Sequence, residues 1–317
     1  MFAFPRCLKH LLAVILALAL VGNGRAQFYS GSQQEYGKNR VQYQEFLWQQ
    51  YRFKDMEVFF YKEGRDLAKY TAQAAEVHLK DLEKQFDFAI DERLQFIVYN
   101  SLTDFRQSNI GIAGVDGQQN IGGLTRIVGT KIFVYNEGDH ALLDRQIRSG
   151  IAHVIIDQMM FGGNWRDMLK SSTFMSLPPW YTDGIMSYHS QPWDATLNNR
   201  IRDGVMSGRF DKFNRLNNEE AKYAGHMIWK YVADVYGPGV LPNILYMTRV
   251  SRNPESGFLF VLGVSLKTLT QECLAYYKGR YAEEDRFRKD IALEPLPIKT
   301  KKTRTYSEFK QSPNGRY

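Results

Sequence analysis

The chain has 317 residues, with 41 Lys and Arg against 34 Asp and Glu, a formal net charge of +7. That excess sits at the two ends: residues 27–297 carry 32 bases and 33 acids. A body this close to neutral offers no electrostatic footprint for nucleic acid, and Lys299, Lys301, Lys302 and Arg304 read as a solvated linker rather than a binding patch.

Residues 1–26 read as an export signal. Arg6 and Lys9 form a basic start, Leu11 to Val21 is an apolar run short of a bilayer span, and Gly24-Arg25-Ala26 supplies small residues for cleavage before Gln27. An uncleaved N-terminal anchor is the competing reading. Cys7 precedes the apolar run and has no lipobox around it. Without the signal one cysteine remains, Cys273, so stability has to come from a core rather than a disulfide. No second apolar run is long enough for a transmembrane span. The mature chain is therefore expected in the periplasm or cell envelope.

Residues 27–54 form an N-terminal segment, polar and Gly/Ser/Gln-rich at its start. Met56 to Tyr61 reads as a strand, Arg65 to Phe86 as an amphipathic helix, and Leu94 to Tyr99 as a second strand. Ser101 is positioned to cap a short helix. Gly111 to Gly129 contains six glycines but lacks the Lys-Ser/Thr ending of a phosphate loop, so it reads as a glycine-rich hairpin beside a cleft. Lys131 to Tyr135 is a third strand, expected at a sheet edge. Asp139 caps a helix over 140–160, whose apolar face is Leu143, Ile147, Ile151, Val154, Ile155 and Met159. Gln146, Ser149, Gly150, His153 and Asp157 are expected on its other side. Helices follow near 178, 195–207, 221–236, 240–251, 255–262 and 265–278. Strands first and helices afterwards make an α+β domain, assigned here to residues 55–297.

Two segments carry chemistry. Arg145 to Asp157 contains Ser149-Gly150-Ile-Ala-His153, and thirty residues past His153 comes Trp180-Tyr-Thr-Asp183-Gly184. In a zincin, His-Glu-x-x-His places two imidazoles one helical turn apart with a general base beside them. Together with Tyr223 to Gly237 and Phe260 to Leu266, these segments resemble the peptidase MA-like domains of the gluzincin clan, over roughly residues 55–280. The resemblance implies a thermolysin-like fold, a small mixed sheet with helices followed by a helical half. It places Ser149 where the first zinc ligand stands, Gly150 where the base stands, His153 at the second ligand and Asp183 at the third. Ser149 is a poor ligand and Gly150 cannot move a proton, so catalysis and a catalytic zinc are not expected.

The first expectation is thus an exported pseudopeptidase, binding an envelope protein or peptide, with a cleft lined by Trp180, Tyr188 and His226 and open to strand addition at 131–135. A divergent hydrolase holding zinc on His153, Asp157 and Asp183 is the alternative. His153 and Asp157 simply hydrogen-bonding to each other is the plainer reading of that pair. Residues 298–317 form a basic linker, and Ser312-Pro-Asn-Gly-Arg-Tyr317 resembles the turn of a TolB-type β-propeller blade. That second resemblance implies a structural adaptor for a downstream propeller. A chance Pro-Asn-Gly turn in a frayed tail reads equally well.

Overall fold

The computed structural model of the chain describes residues 41–108, 129–162, 177–286 and 313. Among these residues the architecture is α+β, a small mixed sheet followed by a helical half. The strands are β1 (Gln49–Arg52), β2 (Met56–Phe60), β3 (Leu94–Tyr99) and β4 (Lys131–Tyr135), lying side by side in that order. β1 runs antiparallel to β2, whereas β2, β3 and β4 are parallel. Parallel neighbours need a crossover, and α1 (Arg65–Phe86) supplies it between β2 and β3.

The sheet's buried face follows the period-two pleat. Met56, Val58 and Phe60 alternate inward on β2, as do Leu94, Phe96 and Val98 on β3 and Ile132 and Val134 on β4. On α1, Ala68, Ala72 and Ala75 are buried, followed by Leu79, Leu82 and Phe86, each large one contributing about 1.5–3 kcal/mol by burial. At the sheet's end, Tyr61, Tyr99, Phe105 and Tyr135 cluster, with Phe46 and Trp48 packed 4.7 and 5.2 Å from the Tyr61 ring. The Tyr61 hydroxyl donates to Asp104 Oδ2 at 2.5 Å and accepts from the Asn100 amide at 2.8 Å. Burial, chiefly, raises the pKa of that phenol.

α2 (Leu102–Phe105) is capped by the Ser101 hydroxyl, as its sequence predicts. The helical half comprises α3 (His140–Phe161), α4 (Pro179–Ser190), α5 (Ala195–Met206), a 3-10 helix (Arg209–Arg215), α6 (Asn218–Tyr236), α7 (Val240–Ser251), α8 (Pro254–Leu262) and α9 (Leu266–Asp285). Its core is aromatic: Trp180, Tyr181, Trp229 and Phe258 pack edge-to-face and tilted against one another, and Trp229 Nε1 donates to the Tyr181 carbonyl at 3.0 Å. Cys273 is buried, and burial pushes its thiol pKa up. One compact unit ends at Lys278 and a second spans Gly279–Tyr317, so the division falls inside α9. Among the described residues, no single helix is long and apolar enough to cross a membrane. The glycine-rich hairpin, apart from Gly129, and the export signal lie outside the described residues, as does nearly all of the basic tail.

Candidate functional site

The turn after β4 directs α3. Asn136 Oδ1 accepts from the Gly138 amide at 2.9 Å, and Gly138 sits at φ +85, where a side chain would be strained. Asp139 then caps α3 by accepting from the Ala141 amide at 2.8 Å. This reversal brings α3 back against β4. Gln146 takes both backbone groups of Tyr135, accepting from its N–H and donating to its C=O, each at 3.0 Å. Four residues on, Gly150 meets the same strand: a Cβ there would lie 2.3 Å from Ile132 Cγ2.

Both residues were expected on the cleft side of α3, and both are buried against the sheet. The reason is angular. Gly150 lies about 100° around the helix from Ser149. Gln146 is polar, but its amide is bonded to the β4 backbone. Strand addition at Tyr135 is correspondingly closed, because Gln146 already holds that residue's N–H and C=O.

His153 and Asp183 do come together. His153 Nε2 is 3.3 Å from Asp157 Oδ2 on its own helix, and its Nδ1 is 2.9 Å from Met186 Sδ on α4. A thioether only accepts, so Nδ1 carries the proton toward sulfur. Burial raises the pKa of Asp157, and the neighbouring His153 pulls it back down. Asp183 behaves alike: burial raises it, with His153 the largest opposing influence and a 3.5 Å bond from the Thr182 hydroxyl helping. His153 therefore mediates between two half-buried acids. Ser149, one turn earlier, is half-buried. Among the described residues, no three His, Cys, Asp or Glu side chains stand close enough to hold a metal ion. The donor set of His153, Asp157 and Asp183 thus does not fit zinc in this arrangement.

Close helix contact explains the second segment's glycine. A Cβ on Gly184 would lie 2.5 Å from Gly225 Cα, and one on Gly225 would lie 1.9 Å from the Trp180 carbonyl oxygen. α4 and α6 cross backbone to backbone at this point. Of the three residues expected to line the cleft, two are buried. Trp180 is 1% exposed and packs on Phe213, Tyr181 and Phe258, so it belongs to the core. His226 is also 1% exposed, with Nδ1 2.9 Å from the Ser187 hydroxyl. Burial above all, then Lys222 and Lys230, pushes its pKa down to about 3. Tyr188 is half-buried, its ring against His189 and His226.

A polar network that no sequence motif marks joins α1, α3 and α4. Arg148 is its hub. Its guanidinium bonds Asp81 at 2.7 Å, His78 Nδ1 at 3.1 Å and the His189 carbonyl. Arginine only donates, so His78 Nδ1 accepts and its Nε2–H donates to Asp144 at 2.9 Å. Gln85 donates to Asp81 at 2.9 Å and accepts from His189 Nδ1 at 2.8 Å, which fixes that tautomer too. His189 Nε2 is buried without a hydrogen-bond partner among the described residues. Burial, then Arg148, pushes the His189 pKa down to about 3, so the ring is neutral. Six side chains from residues 78 to 189 form this network, and no local spacing announces it.

No protein-family model matches this chain, and no curated protein matches it as a relative.

Proposed function

We propose that the chain is an exported pseudopeptidase: a gluzincin-like frame kept as a non-catalytic binding or scaffold module in the cell envelope, its partner an envelope protein or peptide. The observation supporting this reading is the seat of Gly150. Where a zinc peptidase carries its base, this helix packs its backbone on Ile132, leaving no room even for a Cβ without displacing a β-branched side chain. Ser149 stands at the first ligand position, and an alcohol is a poor zinc ligand. What persists is a helix on a strand, with His153 of α3 in contact with Met186 of α4 and close enough to Asp183 to lower its pKa.

The test is metal content of protein purified without chelator. The reading expects well under one zinc per chain and no peptide hydrolysis on added zinc. A stoichiometric zinc that disappears in His153→Ala would overturn it. The competing reading, a divergent metal-dependent hydrolase on His153, Asp157 and Asp183, rests on the proximity of these groups and needs side-chain movement to bring three donors together. The same measurement separates the two.

A further inference from the structure

A groove of about 600 Å³ opens where the 3-10 helix meets the N-terminal turns of α8 and α9. None of these elements carries a residue of the His153 site. The chain enters the groove through Arg209–Arg215, which is broken at Lys212, where φ −100 and ψ 55 are not helical. Just past that break Phe213 is buried, while Lys212 and Arg215 stay exposed. Phe213 is 6% exposed and packs 4.7 Å from the Trp180 ring, so it anchors one wall of the groove to the core.

The charges at this groove are unbalanced. Lys212, Arg215 and Lys267 line it, all three exposed, and none forms an ion pair among the described residues. Of its two acids, Asp211 is already neutralised by Lys278 at 3.0 Å, leaving Glu255 as the acid without such a partner among the described residues. The first amides of α9 add to the positive side. Ser265 Oγ accepts from the Thr268 amide at 3.1 Å, while Leu266 and Lys267 precede it in the turn whose N–H groups have no helical acceptor. Three unmatched cations, one acid and apolar surface from Phe213 and Leu266 suit a ligand that is acidic but not purely so. A dense polyanion would meet Glu255 unfavourably. A peptide alternating carboxylates with apolar side chains meets both halves of the lining.

We infer that this groove binds an acidic peptide segment, with Lys212, Arg215 and Lys267 holding its carboxylates and Phe213 and Leu266 its apolar side chains. The site is independent of the zinc question and stands whether or not the pseudopeptidase reading holds.

The experiment is fluorescence anisotropy on the full mature chain with a fluorescein-labelled peptide alternating glutamate and phenylalanine. Its glutamine counterpart and phosphatidylglycerol vesicles are run in parallel. The glutamate peptide should bind at least about tenfold tighter than the glutamine one, and the gap should shrink with added salt. Lys212→Gln, Arg215→Gln and Lys267→Gln together should cost at least about tenfold in affinity, and Glu255→Gln should tighten binding. These residues are exposed, so melting temperatures should barely move. If the triple variant misfolds, Lys267→Glu alone decides the matter in the same assay. Equal binding of the two peptides, or binding unchanged by these substitutions, overturns the inference. Vesicle binding that is lost in the variants, with no peptide binding, overturns the peptide assignment.

Discussion

Two groups of polar side chains meet α4 from α3, and they are built in opposite ways. Around Arg148, six side chains bond in a network that fixes two histidine tautomers and ties α1, α3 and α4 together. Around His153, two acids sit half-buried beside one imidazole, both with pKa values raised because burial outweighs what the histidine returns. The first group is hydrogen-bonded at every member, with only His189 Nε2 left without a partner among the described residues, and it ties three helices together. The second is under-compensated, because burial raises both carboxyls more than the imidazole lowers them. The residues that attract the eye in the sequence are in the second group; those that organise the helices are in the first.

The comparison can be broken at several points. The largest effect is expected at the crossing beneath both groups. Gly225→Ala places a Cβ 1.9 Å from the Trp180 oxygen and 2.7 Å from Gly184 Cα, both backbone atoms, so α4 and α6 must separate. A loss of about 3 kcal/mol in urea unfolding is expected, at the upper end for overpacking.

Arg148→Ala comes next, because it strips three acceptors at once. The expected cost is about 2 kcal/mol, discounted because the Asp81 side chain is 44% exposed and its ion pair is screened. Arg148→Lys should recover only part of this, since an ammonium cannot fork between His78, Asp81 and a carbonyl. Parity of Arg148→Ala with wild type would show the network to be ornamental.

Gly150→Ala is a smaller and sharper case. Helix propensity alone favours alanine by about 1 kcal/mol, whereas contact with Ile132 opposes it by about 1–3 kcal/mol. Net destabilisation of about 1 kcal/mol is expected, and the penalty should vanish when measured in an Ile132→Ala background.

The smallest effect concerns pH. Asp157 and Asp183 have folded pKa values above the unfolded ones, so each adds stability below the usual aspartate range. That contribution is lost as pH rises through the raised value. Asp157→Asn should therefore match wild type near pH 3 and pull slightly ahead of it by about pH 7. A variant that falls behind as pH rises would mean His153 compensates the carboxylate fully.

Much of the fold is legible in the sequence because the signals are local. Arg65–Phe86, Leu94–Tyr99 and Lys131–Tyr135 have clear periodicity, and Ser101 and Asp139 cap the helices they precede. β1 is not legible. Gln49-Gln-Tyr-Arg52 is polar and mostly exposed, and becomes a strand only because β2 offers it an antiparallel partner. The sides of α3 were half legible: the four-residue spacing relates His153 to Asp157 correctly, but Gln146 and Gly150 were grouped with them because neither is apolar. A buried amide bonding a strand's backbone looks like any surface glutamine until the strand is placed. The Arg148 network was hidden for a simpler reason, since residues 78, 81, 85, 144, 148 and 189 meet only in three dimensions.

The most direct test of the pseudopeptidase frame is to rebuild its site. Ser149→His, Gly150→Glu and Asp183→Glu would supply two imidazoles with His153, a carboxylate ligand and a base. The contact at Ile132 means that these three changes alone should destabilise the protein, so Ile132→Ala is added to make room. Zinc titration by calorimetry on the folded quadruple variant should give one tight site per chain where wild type gives none. If that folded variant binds zinc no more tightly than wild type, then α3 and α4 are not the two helices of a zincin, and the account is wrong at its centre.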